Sequence, residues 1–221
     1  MSTNKLKPEQ IKAFKEKEVE VLKADEDGFI DIRNIEWFAD EIFAAGDNEW
    51  GLEILQKIEG LAENFYDLEG VMESLLKLNE NDRLLALVKK AESLIEKEDY
   101  GVSGCYLSAA NFVVSIDKNY ALELYNKAEE KAVDFNEFNE LSGSFANDLY
   151  DNENALRIIH LKCIPLIDEK DHNNRLSQCA QIAASLRDLG VISEENEKIN
   201  FNDSIKILSL IHISEPTRLR S

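Results

Sequence analysis

The chain has 221 residues, of which 25 are Lys or Arg and 44 are Asp or Glu, for a formal charge of −19 at neutral pH. A hydrophobic content of 44% is enough to build a core and too high for a disordered chain. The acidic balance argues against binding to a phosphate backbone, and no run of about 18 apolar residues is present to span a membrane.

The charge is uneven. Residues 1–24 hold six lysines against four glutamates, whereas residues 25–207 hold 17 basic against 39 acidic side chains. An acidic body favours solubility and attraction to basic partners. The leading helix is then either a plain soluble helix or one that docks on the acidic body or on a second copy. Met1-Ser2-Thr3-Asn4-Lys5 lacks the apolar core of a signal peptide. Cys105, Cys163 and Cys179 are an odd set on helical patterns. They read as small buried residues of a reducing compartment, so a cytoplasmic setting is expected.

In chain order, Pro8 suits a first helical turn, and Ile11, Phe14, Val21 and Leu22 give that helix an apolar stripe. Asp25-Glu26-Asp27-Gly28 ends it as a turn. Phe29-Ile30-Asp31-Ile32 reads as one extended stretch, and Asn34 as the cap of a helix running through Trp37, Phe38, Ile42 and Phe43. Gly46 suits the left-handed position that closes it. From there helices alternate. First members of each pair are expected near 35–45, 68–78, 103–116, 138–150 and 174–189, and second members near 48–62, 82–96, 118–133 and 153–167. Gly190 is the expected end of the last of these.

Four stretches share one pattern, an acidic or Asn-rich turn before a small or apolar residue and Leu-x-Ile/Leu. They are Asp47–Ile54, Asn81–Val88, Lys118–Tyr125 and Asp151–Ile158. Their anchors are Gly51, Leu85, Ala121 and Ala155, spaced by 34, 36 and 34 residues. A period in this range means stacked helical hairpins, none able to bury its apolar face alone.

These residues resemble the tetratricopeptide-repeat family over roughly 35–190. Ala39, Ala109 and Gly143 lie twelve residues before Gly51, Ala121 and Ala155, where that family places a small residue. Ala128 and Ile58 fall seven after their anchors, and Phe112, Ile42 and Leu76 nine before theirs. Small residues let one helix sit close against the next. Leu85, Glu73 and Lys162 depart from the pattern, and Pro165 is the nearest relic of a repeat-end proline. The resemblance implies an all-α fold, a right-handed solenoid of antiparallel helix pairs with about 4 to 5 repeats behind an N-terminal helix. A compact helical bundle is the alternative. The expected organisation is 1–34 for the N-terminal helix and acidic turn, 35–190 for the repeats and 191–207 for the start of a further helix. Asn202-Asp203-Ser204 is the expected cap of that helix.

Leu208–Arg218 resembles, over eleven consecutive residues, the translated adapter of transposase-based short-read sequencing libraries. Residues 208–221 are therefore read as a non-native tail and 1–207 as natural sequence, with the helix after Asn202-Asp203-Ser204 expected to be cut short.

Candidate chemistry is sparse. Asp25-Glu26-Asp27-Gly28-Phe29-Ile30 has part of a calcium loop, but Lys23 and Asn34 stand where the first ligand and the bidentate Glu belong. His160 and Cys163 share a helical face, with His172 and Cys179 as the other native candidates; zinc needs four converging ligands, and none is expected. No phosphate loop, nucleophile elbow or His-Glu-x-x-His helix is present, so neither enzyme activity nor a cofactor is expected. The expected function is a non-catalytic interaction scaffold holding a peptide or partner protein, with a basic segment, in a concave groove. The family pattern turns Arg33, Glu36, Asp40, Ser74, Lys77, Tyr106, Glu140, Ser144, Asn147, Asn174 and Gln181 toward that groove, with Tyr106 as an anchor. The alternative is an acidic inhibitor or antidote of a basic protein. Neither nucleic acid nor membrane is an expected partner, and the oligomeric state stays open.

Overall fold

The computed structural model describes residues 6–167 and 171–189. Among them are ten α-helices and no strand. They are α1 (Pro8–Val21), α2 (Ile32–Ala44), α3 (Asn48–Leu61), α4 (Tyr66–Lys77), α5 (Asn81–Ile95), α6 (Val102–Val113), α7 (Lys118–Lys131), α8 (Phe135–Asn147), α9 (Asn152–Ile158) and α10 (His172–Asp188). None is long and apolar enough to cross a membrane. The expected end at Gly190, the further helix from 191 and the adapter-like tail lie outside the described residues. The chain divides into two compact units, Met1–Gly101 and Val102 onward. Helix α1 falls in the first unit.

Helix starts follow from side-chain chemistry. Asp47, Asp117 and Asp151 each accept backbone N–H groups of the helix they precede, at 3.0–3.1 Å. Each lies four residues before its anchor, so the recurring acidic turn of the sequence is a set of N-caps. Asp134 adds a capping box: it accepts Glu137 N–H at 3.0 Å, and the Glu137 carboxylate accepts Asp134 N–H at 3.4 Å and also Val133 N–H at 2.7 Å. Asp31, not Asn34, caps α2. Its carboxylate accepts Arg33 N–H and the Asn34 side-chain amide, so Ile32 opens a helix instead of closing an extended stretch. Gly46 adopts φ +91°, the left-handed close that the sequence suggests.

In the first unit α2 packs on α3, α4 on α5, and α2 also touches α4. Ile35, Phe38, Ala39 and Ile42 of α2 meet Ile54, Leu55 and Ile58 of α3 in a core closed to solvent. Gly51 has a physical reason to be glycine: a Cβ there would collide with the Phe43 ring. Helix α1 buries no residue and is held laterally. Phe14 packs edge-on against Phe38 and Trp50 at 6.2 and 6.1 Å between centroids. Glu18 accepts from the Trp50 indole at 3.3 Å and pairs with Lys57, while Lys17 pairs with Glu41 at 2.6 Å. Mixed pairs of both signs and an aromatic contact therefore seat α1.

In the second unit α6 packs on α7 and α8 on α9, with α6 and α10 both touching α8. Ala109, Ala121, Ala128 and Ala155 are all fully buried, as close helix packing requires. Gly143 is different: a Cβ there would meet nothing within 4 Å. Close approach is not the reason for this glycine. Tyr125 is fully buried, and its hydroxyl lies 2.7 Å from Asn111 Oδ1 and 3.2 Å from Asp148 Oδ2. It links α6, α7 and the end of α8. Burial and the neighbouring Asp148 carboxylate push its ionisation far above the ordinary tyrosine range, so it stays a neutral donor. After α9 the backbone widens into a π-turn, Ile159–Cys163. Pro165 has no N–H, and its ring crowds the carbonyl of Leu161, which a normal helix would place against it. Lys162, the departure from the small-residue pattern, sits in this turn with its ammonium 5.5 Å from the Phe138 ring centroid.

Each unit also carries an arginine clamp. Arg83 donates to Glu59 Oε1 at 2.6 and 3.1 Å and to the Leu52 carbonyl at 3.2 Å. Arg157 forms a two-pronged pair with Glu129 at 2.6 and 2.7 Å. Glu59 and Glu129 both stand eight residues after their anchors, so the period extends to the ion pairs.

Two stability tests follow from these contacts. Gly51→Ala is expected to lower the urea midpoint, costing about 1–3 kcal/mol through overpacking against Phe43. Gly143→Ala is expected to raise it, gaining about 0.5–1 kcal/mol from reduced backbone freedom. Equal shifts would show that neither site is governed by space. Tyr125→Phe is expected to cost about 1–2 kcal/mol. Circular dichroism during urea denaturation reads this, since both tryptophans lie in the first unit; an unchanged midpoint would mean the hydroxyl links nothing.

Candidate functional site

The first unit has a cleft of about 730 Å³ between residues 28–33, the start of α2, and the corner from α3 into α4. Its walls include Phe29, Arg33, Glu36, Glu63, Tyr66, Asp67 and Gly70. Phe29 and Tyr66 are 66% and 55% exposed, which is unusual for rings of this size beside a core. The turn before them is set by Asp25. Its carboxylate accepts the N–H groups of Asp27 and Phe29 at 2.9 and 2.8 Å, and Gly28 takes φ +84°. The carboxylate that resembled a calcium ligand therefore holds its own turn.

The acids of the cleft differ in what they do. Asp31 caps α2, and Asp67 accepts Glu63 and Asn64 N–H groups at 2.8 and 3.2 Å ahead of α4. Glu36 has no hydrogen bond or ion pair among the described residues. It lies so close over α4 that a Cβ at Gly70 would collide with its carboxyl group. Burial raises its pKa above the ordinary range, and the charges of Asp40, Asp67 and Glu73 raise it further, with Arg33 opposing them.

The expected groove residues divide by unit. In the first, Arg33, Glu36 and Asp40 on α2 and Ser74 and Lys77 on α4 are exposed or half-buried. They are electrostatic neighbours: Glu36 feels Arg33 and Asp40, and Lys77 feels Asp40 while pairing with Glu73 at 2.9 Å. In the second, Glu140, Asn147, Asn174 and Gln181 are exposed on α8 and α10. Tyr106 and Ser144 are not available as expected. Tyr106 is only 2% exposed, because α6 is buried on nearly every side and covers the position that the repeat pattern leaves open. Ser144 is buried and turns its hydroxyl to Tyr125.

Trp37, placed on α2 by the sequence pattern without a direction, is 65% exposed, one turn from Arg33 and Asp40 on the outer side of that helix. The signal was available: Ile35, Phe38, Ala39 and Ile42 already complete a helical stripe, and Trp37 falls outside that register.

Of the metal candidates, Cys163 and Cys179 are buried, whereas His160, in the π-turn, is exposed. No group of three His, Cys, Asp or Glu side chains suited to a metal occurs among the described residues. All three cysteines are buried as thiols, and burial pushes Cys163 up to about 12. No family model, curated protein or solved structure matches the chain.

The raised Glu36 pKa fixes a sign. A carboxyl that ionises less readily in the folded state stabilises the fold when protonated, and that contribution is lost as pH rises through its folded value. Glu36→Gln is therefore expected to raise Tm at neutral pH by roughly 1 °C, the group being half open to water, and to have no effect below pH ~4. Thermal melts at the two pH values check this; a lower Tm at neutral pH would show that Glu36 stabilises as an anion.

Proposed function

We propose that the chain is a non-catalytic protein-interaction module, a right-handed solenoid of antiparallel helix hairpins of tetratricopeptide-like kind. Its α2–α4 face holds a partner segment that carries basic side chains. The observation that carries this reading is Trp37, two-thirds exposed on a helix face shared with Asp40 and next in sequence to Glu36, which has Glu73 among its acidic neighbours. Exposed aromatic side chains are the usual anchors of protein interfaces, and surrounding carboxylates select a basic partner and speed its approach. The period of 34 to 36 residues and the first-helix contacts α2 with α4 and α6 with α8 support stacked hairpins.

A second reading, an acidic inhibitor of a basic protein, draws on the net charge of −19. It needs no particular face, and this separates the two. Peptides selected from a displayed random library on the intact protein are expected to be rich in Arg and Lys. Asp40→Lys with Glu73→Lys is expected to weaken them at least tenfold, whereas Glu123→Lys with Glu130→Lys, an equal charge change in the second unit, changes affinity less than threefold. Equal losses favour the diffuse acidic reading; no loss from either pair overturns both.

A further inference from the structure

We propose that the cleft of the first unit receives the guanidinium group of an arginine in the bound segment, seated against Glu36 and the rings of Phe29 and Tyr66, and that a proton leaves Glu36 as it enters. The inference rests on the interaction reading above and names the chemistry of its deepest contact.

The geometry supplies three conditions for such a seat. The cleft, about 730 Å³, is of a size that takes a long side chain with part of its backbone. Two of its walls are exposed aromatic rings. Its lining includes the Glu36 carboxylate, which makes no hydrogen bond or ion pair among the described residues, whereas Asp31 and Asp67 beside it accept backbone N–H groups. A planar guanidinium matches these walls better than an ammonium. It stacks on rings and pairs with a carboxylate through two parallel N–H donors.

Proton linkage follows from the surroundings of Glu36. Arg33 and Asp40 face it from α2, and Asp67 and Glu73 from α4; Asp31, Glu63 and Glu69 line the same cleft. Burial first, and then negative neighbours that outnumber the single cation, hold the proton of the free carboxyl above the ordinary range. An entering guanidinium reverses that balance and lowers the pKa. Between the two values each binding event releases one proton, so affinity rises with pH and levels off above the free value.

The test uses acetylated, amidated heptapeptides of Gly and Ser with a central Arg, Lys or citrulline, titrated into the full chain and followed by NMR between pH 4.5 and 7.5. The arginine peptide is expected to shift amides of residues 28–36 and 64–70, to bind several-fold more tightly at the upper pH, and to outbind the lysine peptide. The neutral citrulline peptide is expected not to bind. Glu36→Gln, checked for an unchanged amide spectrum elsewhere, is expected to lose at least tenfold in affinity and to flatten the pH profile. Equal binding of citrulline and arginine, equal binding of lysine and arginine, or a pH profile that survives Glu36→Gln overturns the inference. If library-selected peptides still depend on Asp40 and Glu73 in that case, only the arginine seat falls. If no selected peptide depends on the face, the interaction reading falls with it.

Discussion

A spacing of four residues organises this fold. An aspartate side chain fixes where a second helix begins, and one turn later a residue with little or no side chain lets that helix lie against its partner. Asp47 and Gly51, Asp117 and Ala121, and Asp151 and Ala155 repeat the arrangement. The cap sets the start of the helix and the small residue sets its separation, so together they fix axis and depth. Helix α5 lacks both, having no side-chain cap at Glu80 and Leu85 at the anchor. There the Arg83 clamp onto Glu59 and the Leu52 carbonyl supplies a different tether.

Helix capping also accounts for part of the acidity. Carboxylates at helix starts meet unpaired N–H groups and the positive end of the helix dipole, so these acids have a local structural task. Net charge alone is therefore a poor guide to a partner. What sets the α2–α4 face apart is a carboxylate with no such task. Glu36 is half-removed from water, among other acids, beside rings that the core does not need.

The helices were legible in the sequence because their signals are local. The 34-to-36-residue period, the acidic turns and the apolar stripes place eight of nine expected helices to within a few residues; the ninth, expected over 153–167, is α-helical only to Ile158 before the π- and 3-10 turns. Side-chain burial was less legible where it depends on how many neighbours a helix has. Tyr106 reads as a groove residue if α6 has an open face, and α6 has almost none. Gly143 reads as a contact point, yet the space beside it is empty. Trp37 is apolar, yet its register on α2 points outward. The π-turn at Ile159–Cys163 depends on how the chain accommodates Pro165, which no repeat pattern encodes. The cleft itself joins residues more than thirty positions apart and has no sequence signature.

The three cysteines were informative in the sequence as a hint of a reducing compartment. In the fold they have another meaning. Cys105, Cys163 and Cys179 are each at most 4% exposed, and burial holds the thiols of Cys163 and Cys179 in their unreactive protonated form. Oxidants act on accessible thiolates, so the native chain presents them with no ready target. Copies of the folded protein are therefore protected from cross-linking through disulfides, and the surface keeps one chemical state whether its surroundings are oxidising or reducing.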